Sequence, residues 1–418
     1  MIIRKLTIMA ILASMVFCGV GQAQTGVQPQ SLSAAFKQGT PSGQIRSGYI
    51  SLDPDESNVN SSYDLALGGQ LKFVTAPLYG ISLGAAFYTS HSLTQPDEED
   101  YNDELSSSEQ HYDLLAEAYI TYAVDGFTIT AGRQLLDTPF VDSDDCRMTP
   151  HTFEALVASY AINDILIKGG YLSAWQGVDA GYPDDADFDD LVEDSDGTFM
   201  LGATYSNDTI EANAWFYVID DVVDLFYVDA VAPINFNDNM SLTLGVQVSA
   251  QNDSTGSNTY VAMGSKVEGE LYGAMAEFAI AGVTIGAAYD HAEIDAGEAL
   301  FGGFGGGPFF TNIDTLVANE FAAGQDADSY TLCIGYDFGA TGIDGLSIGY
   351  TYGNYQGGTD PMDKTADAEV DEHDFYVEYV INDSWSVDAV YVVSDDKEHS
   401  ATTDWDYQRA QVRVNLNF

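Results

Sequence analysis

Positive charge is what this chain has least of: 13 Lys and Arg stand against 65 Asp and Glu in 418 residues, a formal net charge of −52. That balance excludes nucleic acid as a partner, because gripping phosphates requires clusters of Lys and Arg. Cysteine is nearly missing as well. Cys18, Cys146 and Cys333 are the only three, too few for a disulfide-built scaffold. Beyond the first two dozen residues no apolar run is long enough for a membrane helix, and helical apolar spacing is almost absent. The six His have no metal-ligand spacing and no Gly-x-Ser-x-Gly elbow occurs, so no metal, cofactor or enzymatic site is expected. So acidic a chain is either disordered or folded beneath an acid-laden surface. A hydrophobic share of 45% and 26 Tyr favour folding.

Residues 1–23 read as an export signal. Arg4 and Lys5 form a positive n-region, Leu6 to Val20 an apolar stretch, and Gly21-Gln22-Ala23 the small residues before a cut after Ala23. Cys18 raises a lipoprotein alternative, which Phe17 directly before it disfavours. Residues 24–418 are expected to form one domain. It keeps Cys146 and Cys333 in an oxidising compartment, where a single disulfide is allowed but not demanded.

What the chain does have is alternation. YDLALGGQLKF puts Leu65, Leu67, Leu71 and Phe73 on one face and Asp64, Gln70 and Lys72 on the other. ISLGAAFYTS, TIEANAWFYV, SLTLGVQVSA, VTIGAAYDH, SYTLCIGYDF, LSIGYTYG, HDFYVEYV, WSVDAVYVV and the terminal YQRAQVRVNLNF repeat the pattern. Segments of about ten residues have the length of tilted barrel strands. Short connections (TAPLYG, VDG, IND, SND, AG, INDS) alternate with long acidic ones, including residues 91–111 and 292–327. This predicts an all-β fold: a transmembrane antiparallel β-barrel of about eighteen strands, with short periplasmic turns and long extracellular loops. A secreted β-sandwich needs a dry interior between its sheets. Here the faces opposite the apolar set are too polar and Gly-rich for that, and suit a water-filled lumen. Closure requires the last strand to pair with the first.

Two segments are more specific. SLSAAFKQGTPSGQIRSGYISLD (Ser31 to Asp53) resembles the amino-terminal strand of OprD-family porins, closest to the major porins of epsilon-class proteobacteria. GRQLLDTPFVDSDDCRMTPHTFEA (Gly132 to Ala155) resembles that family's third extracellular loop. Its pattern stands here as Gly132-Arg133, Thr138-Pro139 and Asp145-Cys146-Arg147-Met148-Thr149-Pro150. The terminal Phe418 resembles the aromatic signal by which outer-membrane barrels are recognised for insertion. The resemblance implies an eighteen-stranded barrel in the bacterial outer membrane. A third loop near 134–152 would fold inward as the constriction, a row of basic side chains would lead through it, and small solutes, often amino acids or small carboxylates, would pass passively. Lipid and lipopolysaccharide would surround the barrel, as a monomer or a homotrimer.

Alternation places Arg46, Lys72, Arg409 and Arg413 on the polar face of three strands that closure makes neighbours: a basic ladder on one wall. Asp64, Glu117, Glu211, Glu277, Asp290, Glu378 and Asp388 are read as lumen acids. A positive row against carboxylates would set a transverse field that orients zwitterions; equally, the arginines would simply neutralise acids such as Asp64. On the constriction loop stand Thr138, Pro139, Asp137, Asp142, Asp144, Asp145 and Arg147. Arg147 is expected to touch solute or to brace the loop against Asp145 or a barrel carboxylate. Arg133 is expected to leave its strand and support the loop. Were Cys146 and Cys333 to meet, a disulfide would pin the constriction to the wall. The acidic run from Asp184 to Gly197 lacks the Gly and final Glu of an EF-hand and reads as solvated surface. FGGFGGGPFF (Phe301 to Phe310) lacks the Gly-Lys-Ser/Thr of a phosphate loop, leaving a flexible tip or a second plug. The function expected is a porin for ions and small hydrophilic solutes. The alternative is a non-transporting barrel adhesin. The segment from Gln24 to Pro41 is far too short for the plug of an active transporter.

Overall fold

The structure, a computed structural model, describes residues 28–55, 59–94, 96–180, 188–192, 195–254, 266–360, 365, 367–398 and 405–418. The export segment and part of the run from Asp184 to Gly197 lie outside these. Eighteen long strands form one closed antiparallel sheet. In order they are β1 Thr40–Pro54, β2 Ser62–Val74, β3 Ile81–Ser92, β4 His111–Val124, β5 Phe127–Gln134 and β6 Thr152–Ile162. Then come β7 Ile165–Gln176, β8 Thr198–Ser206, β9 Glu211–Ile219, β10 Val223–Asn237, β11 Met240–Asp253 and β12 Gly269–Ile280. The rest are β13 Val283–Glu293, β14 Ala327–Asp337, β15 Leu346–Gly358, β16 Asp367–Val380, β17 Trp385–Asp396 and β18 Tyr407–Asn417. Each pairs with its neighbours in sequence, and β18 closes on β1 with Arg413 opposite Gly48 and Asn415 opposite Arg46. No helix among the described residues is long and apolar enough to cross a membrane. The strands make the crossing instead.

Every short connection named above lies at the end that carries both termini. The tight turns there use left-handed residues, Asp125-Gly126 (φ 46° and 83°) and Ala281-Gly282 (φ 50° and 86°). This is the backbone twist that two-residue hairpins require. At the seam, the Gly43 amide donates to the Phe418 carbonyl at 2.9 Å and the Phe418 amide returns the bond at 3.0 Å. A Cβ on Gly43 would stand 2.6 Å from the Phe418 ring, so only glycine lets that ring lie across β1. Before β1, residues Leu32–Lys37 turn as a short helix rather than continuing the strand. The Ser31 hydroxyl caps it by accepting from the Ala34 amide at 3.2 Å.

Apolar residues cover the outside, where lipid replaces the usual core. Leu67, Leu71, Phe87, Ile120, Val246, Ile285, Leu332 and Val412 all face outward and are exposed on the isolated barrel. Aromatic side chains edge the band, among them Tyr122, Tyr160 and Trp385 toward the short turns and Phe199, Phe226 and Tyr391 toward the long loops, the girdles of an outer-membrane barrel.

The lumen departs from the expectation of a uniformly polar lining. Its extracellular half contains an apolar cluster built from Leu136, Phe140 and Val141 of the third loop, Phe301, Phe304, Phe309, Leu316 and Phe321 of the seventh loop (294–326), and Trp175, Tyr217, Tyr227 and Tyr355 from the walls. Alternation along strands could not foresee it, because loops supply half of the cluster. The FGGFGGGPFF segment therefore plugs inward.

Candidate functional site

The basic ladder and the third loop meet on one wall. The Arg46 guanidinium grips both oxygens of Asp145, at 2.6 and 2.8 Å, donates from Nε to Asn415 Oδ1 at 2.6 Å, and reaches the Arg147 carbonyl at 2.7 Å. Beside it Arg413 pairs with Asp388 at 2.6 Å and donates to the Asp145 carbonyl. Gln411 donates to the Cys146 carbonyl at 2.9 Å. Arg409 pairs with Asp314 of the seventh loop and lies 3.5 Å from Glu104 of the second. Arg147 braces to Glu104 at 2.6 Å, a second-loop carboxylate rather than the expected Asp145 or barrel carboxylate. Lys72 pairs with Glu117 at 2.6 Å, which also accepts from the Tyr88 hydroxyl. Loops two, three and seven are thus fastened to the wall where β18, β1 and β2 join.

Exposure divides these cations. Arg46 and Arg409 are 3% exposed, whereas Lys72, Arg413 and Arg147 keep 23%, 17% and 15%. Forked guanidinium contacts on carboxylates and carbonyls are the strong, directional kind of charge-assisted hydrogen bond.

Lumen acids hold the seventh loop from the other side. Asp290 accepts from the Thr311 amide at 3.0 Å and hydroxyl at 2.7 Å, and from Gln247 at 2.7 Å. Asp374 accepts from the Asp314 amide at 3.2 Å and Glu372 from the Thr315 amide at 3.1 Å. Glu104, Asp314, Glu372 and Asp374 are absent from the sequence-based set. Glu372 and Asp374 carry a signal, since they alternate with Phe375 and Val377 of the outer face; Glu104 and Asp314 lie in loops and carry none. The two plugs also bind each other: the Phe304 amide donates to the Phe140 carbonyl at 2.9 Å, and the Asp142 amide to the Phe304 carbonyl at 3.0 Å. Gly305, at φ 81°, permits that approach, since a Cβ there would sit 2.1 Å from the Asp142 carbonyl oxygen.

The remaining predicted residues are placed as follows. Asp64 is held by the hydroxyls of Ser92 (2.6 Å), Ser106 (3.0 Å) and Thr94 (3.2 Å) rather than by an arginine. Glu378 lies directly across from Asp388, and Glu277 across from Thr243 and Gly286. Glu211 and Asp229 face inward on β9 and β10, opposite the ladder, with Asn213 donating to Asp229 at 2.8 Å. Thr138 bonds the Val141 carbonyl within the loop at 3.0 Å, and Pro139 is half-buried beside it. Asp137 is exposed, and Asp142 and Asp144 face the Gly306 backbone of the seventh loop.

Two expectations are corrected. Arg133 does not leave its strand: it stays on β5, across from Glu154 (3.6 Å), with its guanidinium over the Phe188 ring at 4.1 Å. Aliphatic stem and planar head let it lie at the rim of the outer face, where a shorter charged residue would have to turn inward. Cys146 and Cys333 do not pair, and both are free thiols. The Arg46 clamp draws Cys146 to the β18–β1 wall, while Cys333 faces Gly286 from β14.

Loop carboxyls are tuned by the same contacts. Burial would raise Asp145, but Arg46 and Arg413 outweigh it and hold the carboxyl below its ordinary range. Glu104 is likewise held down against burial by Arg147 and Arg409. Asp144, one residue from the clamp, is pushed up, chiefly by burial, with Asp179 and Asp145 adding to it and His151 opposing.

Comparison with known proteins agrees with this geometry. Residues 90–418 match the model of the outer membrane porins of the OprD family. No curated protein is similar enough in sequence to count as a match. Among solved structures, Pseudomonas aeruginosa OpdK with vanillate superposes with a TM-score of 0.77 at 18% identity, over 92% of this chain and 99% of that one. Pseudomonas aeruginosa OccK9 (OpdG) gives 0.76 at 18% over 92% and 100%, and Acinetobacter baumannii OccAB3 gives 0.77 at 14% over 91% and 99%.

Proposed function

Since the chain belongs to the OprD family of outer membrane porins, we propose that its basic ladder has two jobs, divided by exposure, within a channel of that kind. A porin of this family is a water-filled passage in the outer membrane through which ions and small hydrophilic solutes diffuse. Here Arg46 and Arg409 act as clamps that fix the constriction. Lys72, Arg413 and Arg147 present the positive surface that a solute meets.

The observation that carries this reading is the fork of Arg46 on Asp145, with both groups taken up by the loop and the wall. A guanidinium so engaged has few donors left for a passing carboxylate. Solutes with a small carboxylate or an amino-acid zwitterion fit the remainder. Their anionic end would follow Lys72 and Arg413, and any ammonium would face Glu211 and Asp229 across the lumen. OpdK, whose structure holds vanillate, offers an aromatic carboxylate as the first solute to try. The acidic loops at the outer mouth concentrate cations before either wall acts. The family is one of channels, and we propose no catalytic role.

Single-channel recording tests the division. Arg413→Ala and Lys72→Ala should shift reversal potential toward cations and weaken any vanillate-dependent change in current. Arg46→Ala should instead raise open-channel noise. Equal effects from all three would refute the division while leaving the porin intact.

A further inference from the structure

On the side of the lumen that holds the seventh loop there is a recess the constriction does not use. The inward rows of β13, β14, β15 and β16 run Thr284, Gly335, Gly349, Tyr376 and, one level up, Gly286, Cys333, Thr351, Asp374. Three glycines leave the wall hollow, and Phe310, Asn312 and Ile313 of the seventh loop roof it. The cleft offers about 40 Å³ to the centre of a water molecule.

The polar side chains that line it are uncharged, and Asp374 stands beside them on the upper row. The hydroxyls of Thr284, Thr331 and Thr351 line it and have no side-chain hydrogen bond among the described residues. Asn312 turns its polar atoms into the seventh loop instead: Oδ1 accepts from the Ala318 amide at 2.9 Å and Nδ2 lies against Gly307. Tyr376 donates to Asp374 at 2.6 Å, which leaves its oxygen free to accept. Among the described residues no Lys or Arg lines the cleft. Glu277 approaches the same glycine, Gly286, as Cys333 does, which disfavours an anion further. Buried donors and acceptors without partners are costly, and a few convergent polar groups against an aromatic ring are the usual makings of a small-molecule site.

We propose that this recess binds a small uncharged polyol, its hydroxyls answering the three threonines and the Tyr376 oxygen and its C–H face lying on Phe310. The channel would then carry two solute routes of different chemistry, one along the basic wall and one here. The proposal deepens the porin reading and fails separately from it, because ribose binding by saturation-transfer NMR on detergent-folded protein needs no conductance.

The experiment measures that binding, and the ribose-dependent drop of single-channel current corrected for bulk conductivity. Saturable binding is expected, with Thr331→Val/Thr351→Val raising the half-saturating concentration about tenfold, as loss of two ordinary hydrogen bonds implies. Cys333→Met, which fills the hollow, should abolish it. Absence of saturation in the unaltered protein overturns the proposal, as does saturation indifferent to both changes. Stronger, Cys333→Met-sensitive binding of benzoate or ethanolamine would overturn the uncharged class.

Discussion

Arg46, on the first strand, holds Asp145, on the third loop, by two parallel hydrogen bonds of 2.6 and 2.8 Å. The pair fixes how far the constriction stands from the wall. Asp145 keeps 33% of its surface exposed, so stranding its charge costs less than the roughly 3–5 kcal/mol of a fully buried pair. Arg46→Ala should therefore loosen the loop, raising single-channel noise and mean conductance. Arg46→Lys should restore little, because a point charge cannot make the fork. Conductance and noise equal to the unaltered channel would contradict the clamp.

Acid separates the two neighbouring aspartates. Asp145 is held below its ordinary value, so the clamp's contribution is present above about pH 4 and is lost only as pH falls through that depressed value. Asp144 is raised by burial, so its charged form costs stability at neutral pH, and that cost disappears as it takes up a proton above the usual aspartate range. Between neutral pH and about pH 4, cation preference should fall while noise stays constant. Asp144→Asn should remove that step from reversal-potential titrations. Rising noise in the same window would show the clamp failing first.

On β18, Gln411 faces inward and Val412 outward. An arginine at Val412 would sit in hydrocarbon near mid-strand, at a cost of about 2–4 kcal/mol. Gln411→Ala removes one hydrogen bond to the Cys146 carbonyl, worth about 0.5–1.5 kcal/mol, and should alter conductance instead. Urea unfolding in lipid vesicles reads the first effect and bilayer recording the second. A tolerated Val412→Arg would mean the alternation has been assigned to the wrong faces.

The barrel was legible because its rule is local: every second residue meets lipid, and about ten residues in a row cross a membrane. Arg46, Arg409 and Arg413 fall on one wall by counting alone, since closure is obligatory. Asp388, directly across from Arg413, follows from the same counting, but their loop partners do not. Glu104, Asp145 and Asp314 sit on three loops, and nothing in strand period says which loop folds over which wall. The inward turn of Phe140 was suggested by resemblance of the third loop to a family pattern. Phe304 had no such precedent, and its glycines suit a plug and a free tip equally. Arg133 shows the reverse failure: a charge on the outer face looks like a break in the strand, although the rim of a barrel tolerates it when Glu154 and Phe188 are at hand.

Phe140 is the last point at which the two plugs can be separated. Its ring lies 5.5 to 6.3 Å from those of Tyr227, Tyr217, Phe309 and Phe301, and its carbonyl accepts from Phe304. Phe→Ala at so enclosed a site costs about 3–5 kcal/mol. That loss falls on the interlock rather than on the barrel, whose strand pairing does not pass through Phe140. Phe140→Ala should thus leave the unfolding midpoint of the barrel in lipid nearly unchanged while exposing the seventh loop to protease added on the extracellular side. Phe304→Ala should do the same, and the double change should add little to either, because residues on one shared contact are not independent. Additive proteolysis rates would mean that each plug is held by its own wall contacts alone.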